Sequence, residues 1–171
     1  MITIDSPVTE SPAMRQVFGC FPSGVAAVCC VVDDTPVGMA VSSFTSVSLA
    51  PPLVSVCIQQ TSATWPKLRH RPRLGLSVLA EDQEAACRAL SSKDGDRFAG
   101  VGWQASPDGA LFIHGAVGWF DCTLHAELAA GDHTIALLEI RRAGTAPDAA
   151  PLVFHGSRYR RLAEVHRGVR S

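Results

Sequence analysis

Apolar positions along the chain come in short runs separated by turn residues, and the period of the runs changes from one stretch to the next. Ser11-Pro12 supplies a cap and a proline suited to a first helical position. Met14, Val17, Phe18 and Phe21 follow at helical spacing, which predicts a short amphipathic helix stopped by Pro22-Ser23-Gly24. The signals that come next are those of strands. Residues 25–32 (VAAVCCVV) form an unbroken apolar run, and Asp33-Asp34-Thr35-Pro36 reads as a turn. Residues 37–48 continue as a second extended stretch that becomes hydroxyl-rich. Residues 53–58 follow Pro51-Pro52, where two residues without amide donors set the start of a strand. Further strands are expected at 74–79, 111–113, 118–128, 134–141 and 152–154, with His155-Gly156 as a tight turn before Tyr159. Two helices interrupt this series. One spans 64–70, with Thr64 as its cap, Pro66 in its first turn and Arg71-Pro72 as its stop. The other spans 82–90 and carries carboxylates at its N-terminal end, where the helix dipole favours them. Many short strands with a few peripheral helices predict a mainly β, antiparallel barrel rather than alternating βαβ units.

Composition narrows the function classes. A chain of 171 residues that is 47% hydrophobic and 18% charged is expected to fold as one soluble domain. The first ten residues are polar and expected to be flexible, and residues 164–171 form a C-terminal tail. Fifteen Lys and Arg against 16 Asp and Glu give a formal net charge of -1, so there is no basic footprint for nucleic acid. The longest apolar run, 25–32, is far short of the roughly 20 residues of a membrane-spanning helix. The opening MITIDSPVTESPAMRQ lacks the basic start and apolar core of a secretion signal. Six cysteines (20, 29, 30, 57, 87 and 122) include no C-x-x-C pair, and most sit in apolar segments. They read as buried reduced thiols of a cytoplasmic protein, with a disulfide or a metal site as the alternatives.

Familiar catalytic signatures do not fit. Gly100-Val101-Gly102 with Ala105 is a loose G-x-G-x-x-A, but it lacks the strand before it and the helix after it that a dinucleotide loop requires. Six histidines are scattered without i, i+4 pairs, so a metal site would have to assemble across strands. A cluster of small hydroxyls remains: Ser42, Ser43, Thr45, Ser46 and Ser48, then Thr61, Ser62 and Thr64. These are either ordinary strand edges and a helix cap, or the hydroxyl and amide lining of a phosphate site at a helix start.

Eight segments in register resemble the flavin reductase-like family, FMN- or FAD-binding proteins with a split β-barrel fold that include the reductase components of two-component flavin monooxygenases. They are FPSGVAAV, GMAVSSFTSVS, APPLVSVCI, TSATWP, RLGLSVLAEDQ, DRFAGVGW, GDHTI and PLVFHGSRYRRL; the resemblance covers about Met14 to Leu162, and the domain it implies spans residues 11–163. The resemblance implies that the backbone of Met39, Ala40, Val41 and Ser42 faces the isoalloxazine edge. It places Ser42, Ser43 and Thr45 near ribityl or phosphate oxygens, and Ser62 and Thr64 at the phosphate. Ser77-Val78-Leu79 stands where family members commonly have Asn-x-Leu, so Ser77 and Leu79 fall on a flavin-contacting strand. Arg97 and Phe98 lie on a loop near the flavin, with Arg97 available to a phosphate. His133 of Gly131-Asp132-His133 is implied beside the nicotinamide, as the residue that positions it. NADH or NADPH would be the electron donor, the partner a separate oxygenase, and the assembly a homodimer with no nucleic acid or membrane involved. Two alternatives share the same pocket: a pyridoxamine-phosphate oxidase-like flavoenzyme, and a non-catalytic flavin or haem carrier.

Overall fold

The structure, a computed structural model, describes residues 11–163; the expected flexible start at 1–10 and the tail at 164–171 lie outside the described residues. The chain opens with helix α1 (Ser11–Phe18) and a two-residue strand β1 (Ser23–Gly24) in the stretch expected only to end the helix. Strand β2 (Ala26–Val32) turns into β3 (Thr35–Val41) through Asp33 and Asp34, both at positive φ (49° and 58°). Positive φ at both central residues is the requirement of a type I′ hairpin. The turn is therefore two residues long, and Thr35 and Pro36 already belong to β3. Pro36 is tolerated because β3 is an edge strand.

The extended stretch expected over 37–48 is two strands, β3 and β4 (Thr45–Leu49), broken at Ser42–Phe44. Then come β5 (Pro52–Gln59), α2 (Trp65–Leu68), β6 (Leu74–Val78) and α3 (Glu84–Ser91). A short hairpin of β7 (Trp103–Ala105) and β8 (Leu111–Ile113) leads to two long strands, β9 (Gly118–Ala130) and β10 (His133–Thr145). The chain ends with β11 (Val153–His155) and β12 (Arg158–Arg160).

Seven strands form one antiparallel sheet in the order β3-β2-β6-β9-β10-β5-β4, while β1-β11-β12 and β7-β8 form two small ones. The mainly β, antiparallel expectation holds. Closure into a barrel does not: β3 and β4 end the sheet without pairing to each other. The sheet instead curls over one core, in which Met39 and Val41 of β3 meet Val54, Val56 and Ile58 of β5 across the open side.

Both faces of β2 are buried, which explains its unbroken apolar run. Ala26, Val28 and Cys30 enter this core, while Ala27 and Cys29 enter a second one with Leu79, Leu90, Phe98, Leu111 and Ile113. The second core needs a row of small residues on the sheet. Gly38, Cys29 and Gly75 lie side by side across β3, β2 and β6. A Cβ on Gly38 would stand 2.3 Å from Cys29 Sγ and 3.1 Å from the Phe98 ring, and one on Gly75 would stand 2.0 Å from the Leu111 carbonyl oxygen. These two glycines let Phe98 and β8 lie flat on the sheet. All six cysteines are free thiols; burial pushes Cys29 well above the ordinary thiol range and Cys122 up to about 12.

Candidate active site

A cavity of about 700 Å³ opens at the end of β3, where the curled sheet leaves its gap. Strand β3 contributes Met39, Ala40 and Val41, and the break after it contributes Ser42 and Ser43. The break is held in place by Ser43, whose Oγ accepts the Cys57 amide N–H (2.8 Å) and donates to the Cys57 carbonyl (3.0 Å). A side chain thus substitutes for backbone pairing between β4 and β5, and the chain can bend there without leaving β5 unpartnered. The end of β5 adds Cys57, Ile58 and Gln59 to the wall.

The opposite wall is the loop into α2. Thr64 precedes the helix, as expected, but makes no side-chain cap hydrogen bond. Ser62 does that work: its Oγ accepts the amides of Thr64 (3.3 Å) and Trp65 (3.2 Å). The hydroxyl hydrogen is directed to Met39 Sδ, 3.7 Å away, on the cavity side. Thr64 is buried and its Oγ1 is occupied by Arg97. The helix itself is only one turn long, and α2 is tied to the sheet by Glu127 of β9, which accepts from Trp65 Nε1 (2.7 Å) and pairs with Arg69.

Arg97 comes from the loop after α3. Its position follows from its neighbour: Phe98 is buried over Gly38, and its amide donates to Asp96 Oδ1 (2.9 Å). Arg97 Nη1 then donates to the Gly38 carbonyl (3.1 Å) and to Thr64 Oγ1 (2.7 Å). Among the described residues Nη2 and Nε have no protein hydrogen-bond partner. The guanidinium is therefore fixed by one nitrogen, and its remaining donors are unspent within the described residues where Arg97 lines the cavity. Lys93, from the same loop, adds a second positive charge to the lining.

His133 begins β10, opposite Gln59, at the mouth of the cavity. The Gly131-Asp132 turn before it has Gly131 at φ 64°, as a type II′ hairpin needs at its first central residue. Gln60 pins this turn by donating its amide to the Asp132 carbonyl (3.0 Å) and its Nε2 to the Gly131 carbonyl (3.0 Å). The His133 Nδ1 sits 2.7 Å from Asp132 Oδ1, and this bond holds the Asp132 carboxyl below its usual range. The ring is thereby oriented by its Nδ1 side, and Nε2 is its remaining polar atom.

The structure brings together His133, Met39, Ala40, Val41, Ser42, Ser43, Ser62, Thr64 and Arg97 in one cavity wall. Thr45, Ser77, Leu79 and Phe98 are not in that wall. Thr45 is exposed on β4 opposite Ser55, and Ser77 is 1% exposed with its Oγ accepting the Ile113 amide (3.0 Å). Leu79 and Phe98 belong to the second core. Cys57, Ile58, Gln59, Thr61, Ala63, Leu90, Ser91 and Lys93 also line the cavity; Thr61 belongs to the hydroxyl cluster, Cys57, Ile58 and Ala63 lie within family-like segments without being singled out there, and Gln59, Leu90, Ser91 and Lys93 carried no signal.

The family model for the flavin reductase like domain matches residues 18–163. A flavin reductase of Pseudomonas putida is 38% identical over 152 residues, covering 88% of this chain and 89% of that protein. The reductase subunit HsaB of a flavin-dependent monooxygenase from Rhodococcus jostii is 35% identical, over 85% of this chain and 74% of its own. Among solved structures, the NADH:FAD oxidoreductase of Streptomyces globisporus in complex with NAD and FAD fragments superimposes with a TM-score of 0.88 at 37% identity, covering 94% of this chain and 98% of that one. Sequence, fold and an open cavity at the sheet's gap agree, and the chain belongs to the flavin reductase-like family.

Proposed function

We propose that this protein is an NAD(P)H:flavin oxidoreductase that reduces FMN or FAD and supplies the reduced flavin to a separate monooxygenase. The observation that carries this reading is the convergence of four stretches distant in sequence, Met39–Ser43, Thr61–Thr64, Arg97 and His133, around one cavity. The names of its relatives, a flavin reductase, an NADH-dependent FAD reductase and a monooxygenase reductase subunit, support the same chemistry.

The cavity residues fit a flavin nucleotide. A volume of about 700 Å³ suits a small-molecule site. Arg97 keeps donors for a phosphate. Backbone groups of Met39 to Ser42 provide an edge of donors and acceptors for a flat polar ring. A flavin held there supplies the acceptance of a hydride from reduced nicotinamide, chemistry that side chains lack. The protein's share is orientation: two rings must be stacked with their reacting atoms about 3–3.5 Å apart. His133, steered by Asp132, acts at the cavity mouth as a positioning residue for the nicotinamide, with Nε2 available to its carboxamide.

We read the curled sheet as the split barrel of the family and the working assembly as a homodimer. The edge strand β4 leaves Leu49 96% exposed and Val47 half exposed, which favours a covered edge. No helix among the described residues is long and apolar enough to cross a membrane, and a cytoplasmic site suits the free thiols. The decisive experiment is steady-state oxidation of NADH and NADPH with FMN, FAD or riboflavin added in turn. Turnover that depends on added flavin is expected, and nicotinamide oxidation no faster than the protein-free blank overturns the reading.

A further inference from the structure

Residues on one face of the large sheet line up across its strands. Gly38, Cys29, Gly75, Asp121 and Arg142 form one row over β3, β2, β6, β9 and β10, and Ala40, Ala27, Ser77, Trp119 and Gly144 form the next. Strand β8 covers the first part of this face, where Ala27 and Cys29 share the second core with Leu111 and Ile113. It is pinned at Ile113, whose amide donates to Ser77 Oγ (3.0 Å) and whose carbonyl accepts the Trp119 indole N–H (2.8 Å). Beside β8, where the same face runs on over β9 and β10, a cavity of about 570 Å³ opens. It shares no lining residue with the one at the gap.

Two features of the lining define what fits. The first is aromatic. Trp119 and Phe112 both line the cavity, and the spent indole N–H fixes the Trp119 ring, which then offers carbon surface rather than a donor. Gly144, across the ladder from Trp119, contributes no side chain; a Cβ there would stand 3.8 Å from Trp119 Cε3, so its absence leaves room beside the ring for a flat group.

The second is charge. Asp121 is 4% exposed, its Oδ2 pairs with Arg73 Nη2 at 2.6 Å and its Oδ1 is buried, so this carboxylate is offset within the protein and withheld from a ligand. Arg142, next to it in the row, is exposed and lines the cavity, and it makes no hydrogen bond or ion pair among the described residues. An unneutralised guanidinium therefore stands beside an aromatic wall. Its planar fork matches a carboxylate with two parallel hydrogen bonds and repels a cation.

We propose that this cavity binds a planar aromatic carboxylate, with its ring against Trp119 and Phe112 and its carboxylate paired with Arg142. The site is separate from the flavin reading, and both can be filled at once.

Indole-3-carboxylate and indole-3-carboxamide, which share a ring and nearly a shape but differ in charge, test this by isothermal titration of the full chain with and without saturating FMN. The carboxylate is expected to bind once per chain about tenfold or more tighter than the carboxamide, with FMN making no difference. FMN matters as a competitor because the cavity at the gap carries cations of its own, Arg97 and Lys93. In Arg142→Gln the preference for the carboxylate disappears while the carboxamide binds as before. Gly144→Leu fills the space beside Trp119 and abolishes binding of both compounds, while leaving Arg142 and the Asp121–Arg73 pair in place. No binding of the carboxylate, equal affinity for the pair, displacement by FMN, a preference that survives Arg142→Gln, or binding untouched by Gly144→Leu each overturns the proposal.

Discussion

Replacing Arg97 by alanine separates a ligand contact from a structural one. Arg97 makes two hydrogen bonds within the protein, both through Nη1, to the Gly38 carbonyl and Thr64 Oγ1. The donors on Nη2 and Nε serve a phosphate in the proposed complex. A hydrogen bond to a charged group contributes about 1.5–3 kcal/mol, so losing the phosphate contact weakens FMN binding by about 10- to 150-fold. The same substitution also frees Thr64 and the Gly38 carbonyl, and any loosening of the wall that follows weakens every ligand alike. Riboflavin, which has the same ring and ribityl chain but no phosphate, measures that common part. Titrating both flavins by fluorescence into wild-type protein and Arg97→Ala should show FMN affinity falling much more than riboflavin affinity, so that the preference for FMN shrinks by about tenfold or more. Arg97→Lys, which keeps the charge but loses the fork, should restore part of it. If FMN and riboflavin weaken by the same factor, Arg97 serves only the protein and the phosphate assignment fails.

Three other outcomes follow from the same geometry. His133→Ala should raise the nicotinamide KM or slow flavin reduction in stopped-flow while leaving flavin affinity nearly unchanged, and unaltered reduction would remove it from the site. Gly75→Ala places a Cβ against the Leu111 backbone, which has no rotamer with which to yield, so it should cost about 3 kcal/mol or more in urea unfolding; an unshifted midpoint contradicts the packing described. Tyr159 is the chain's only tyrosine, and burial together with its Cys87 contact (3.2 Å) pushes its hydroxyl from 10.0 up to about 12. Because the folded value lies above the unfolded one, this contribution to stability is complete below about pH 10 and is lost as pH rises towards 12. Tyrosinate absorbance should therefore appear near pH 12 in the folded protein and near pH 10 in urea, and a folded midpoint at 10 refutes the burial.

Much of the fold was legible because single strands carry their own signal. The apolar run at 25–32 needs both faces buried, and the neighbouring aspartates turn the chain at once. The break at Ser42–Phe44 was invisible because those residues carry no Gly, Pro or Asp turn signal and run on into the hydroxyl-rich stretch; only the Ser43–Cys57 bonds, 14 residues apart, reveal it. The α2 cap was misread for a similar reason. Local preference favours the threonine just before the helix, but Arg97, 33 residues away, occupies that hydroxyl and leaves Ser62 to cap. Ser77 and Leu79 carry a family motif, yet here one supports β8 and the other fills a core. Lys93 and Ser91 enter the cavity wall through the placement of α3, which no local pattern encodes.

The gap in the sheet has a thermodynamic consequence. Met39–Val41 and Cys57–Gln59 stand on opposite sides of a seam that the Ser43 hydroxyl bridges and no backbone ladder closes. A molecule lodged there works as a removable rivet across that seam. Its affinity becomes resistance to unfolding, growing with the logarithm of ligand concentration above Kd. Each release of cargo therefore slackens the very strands that must grip the next one.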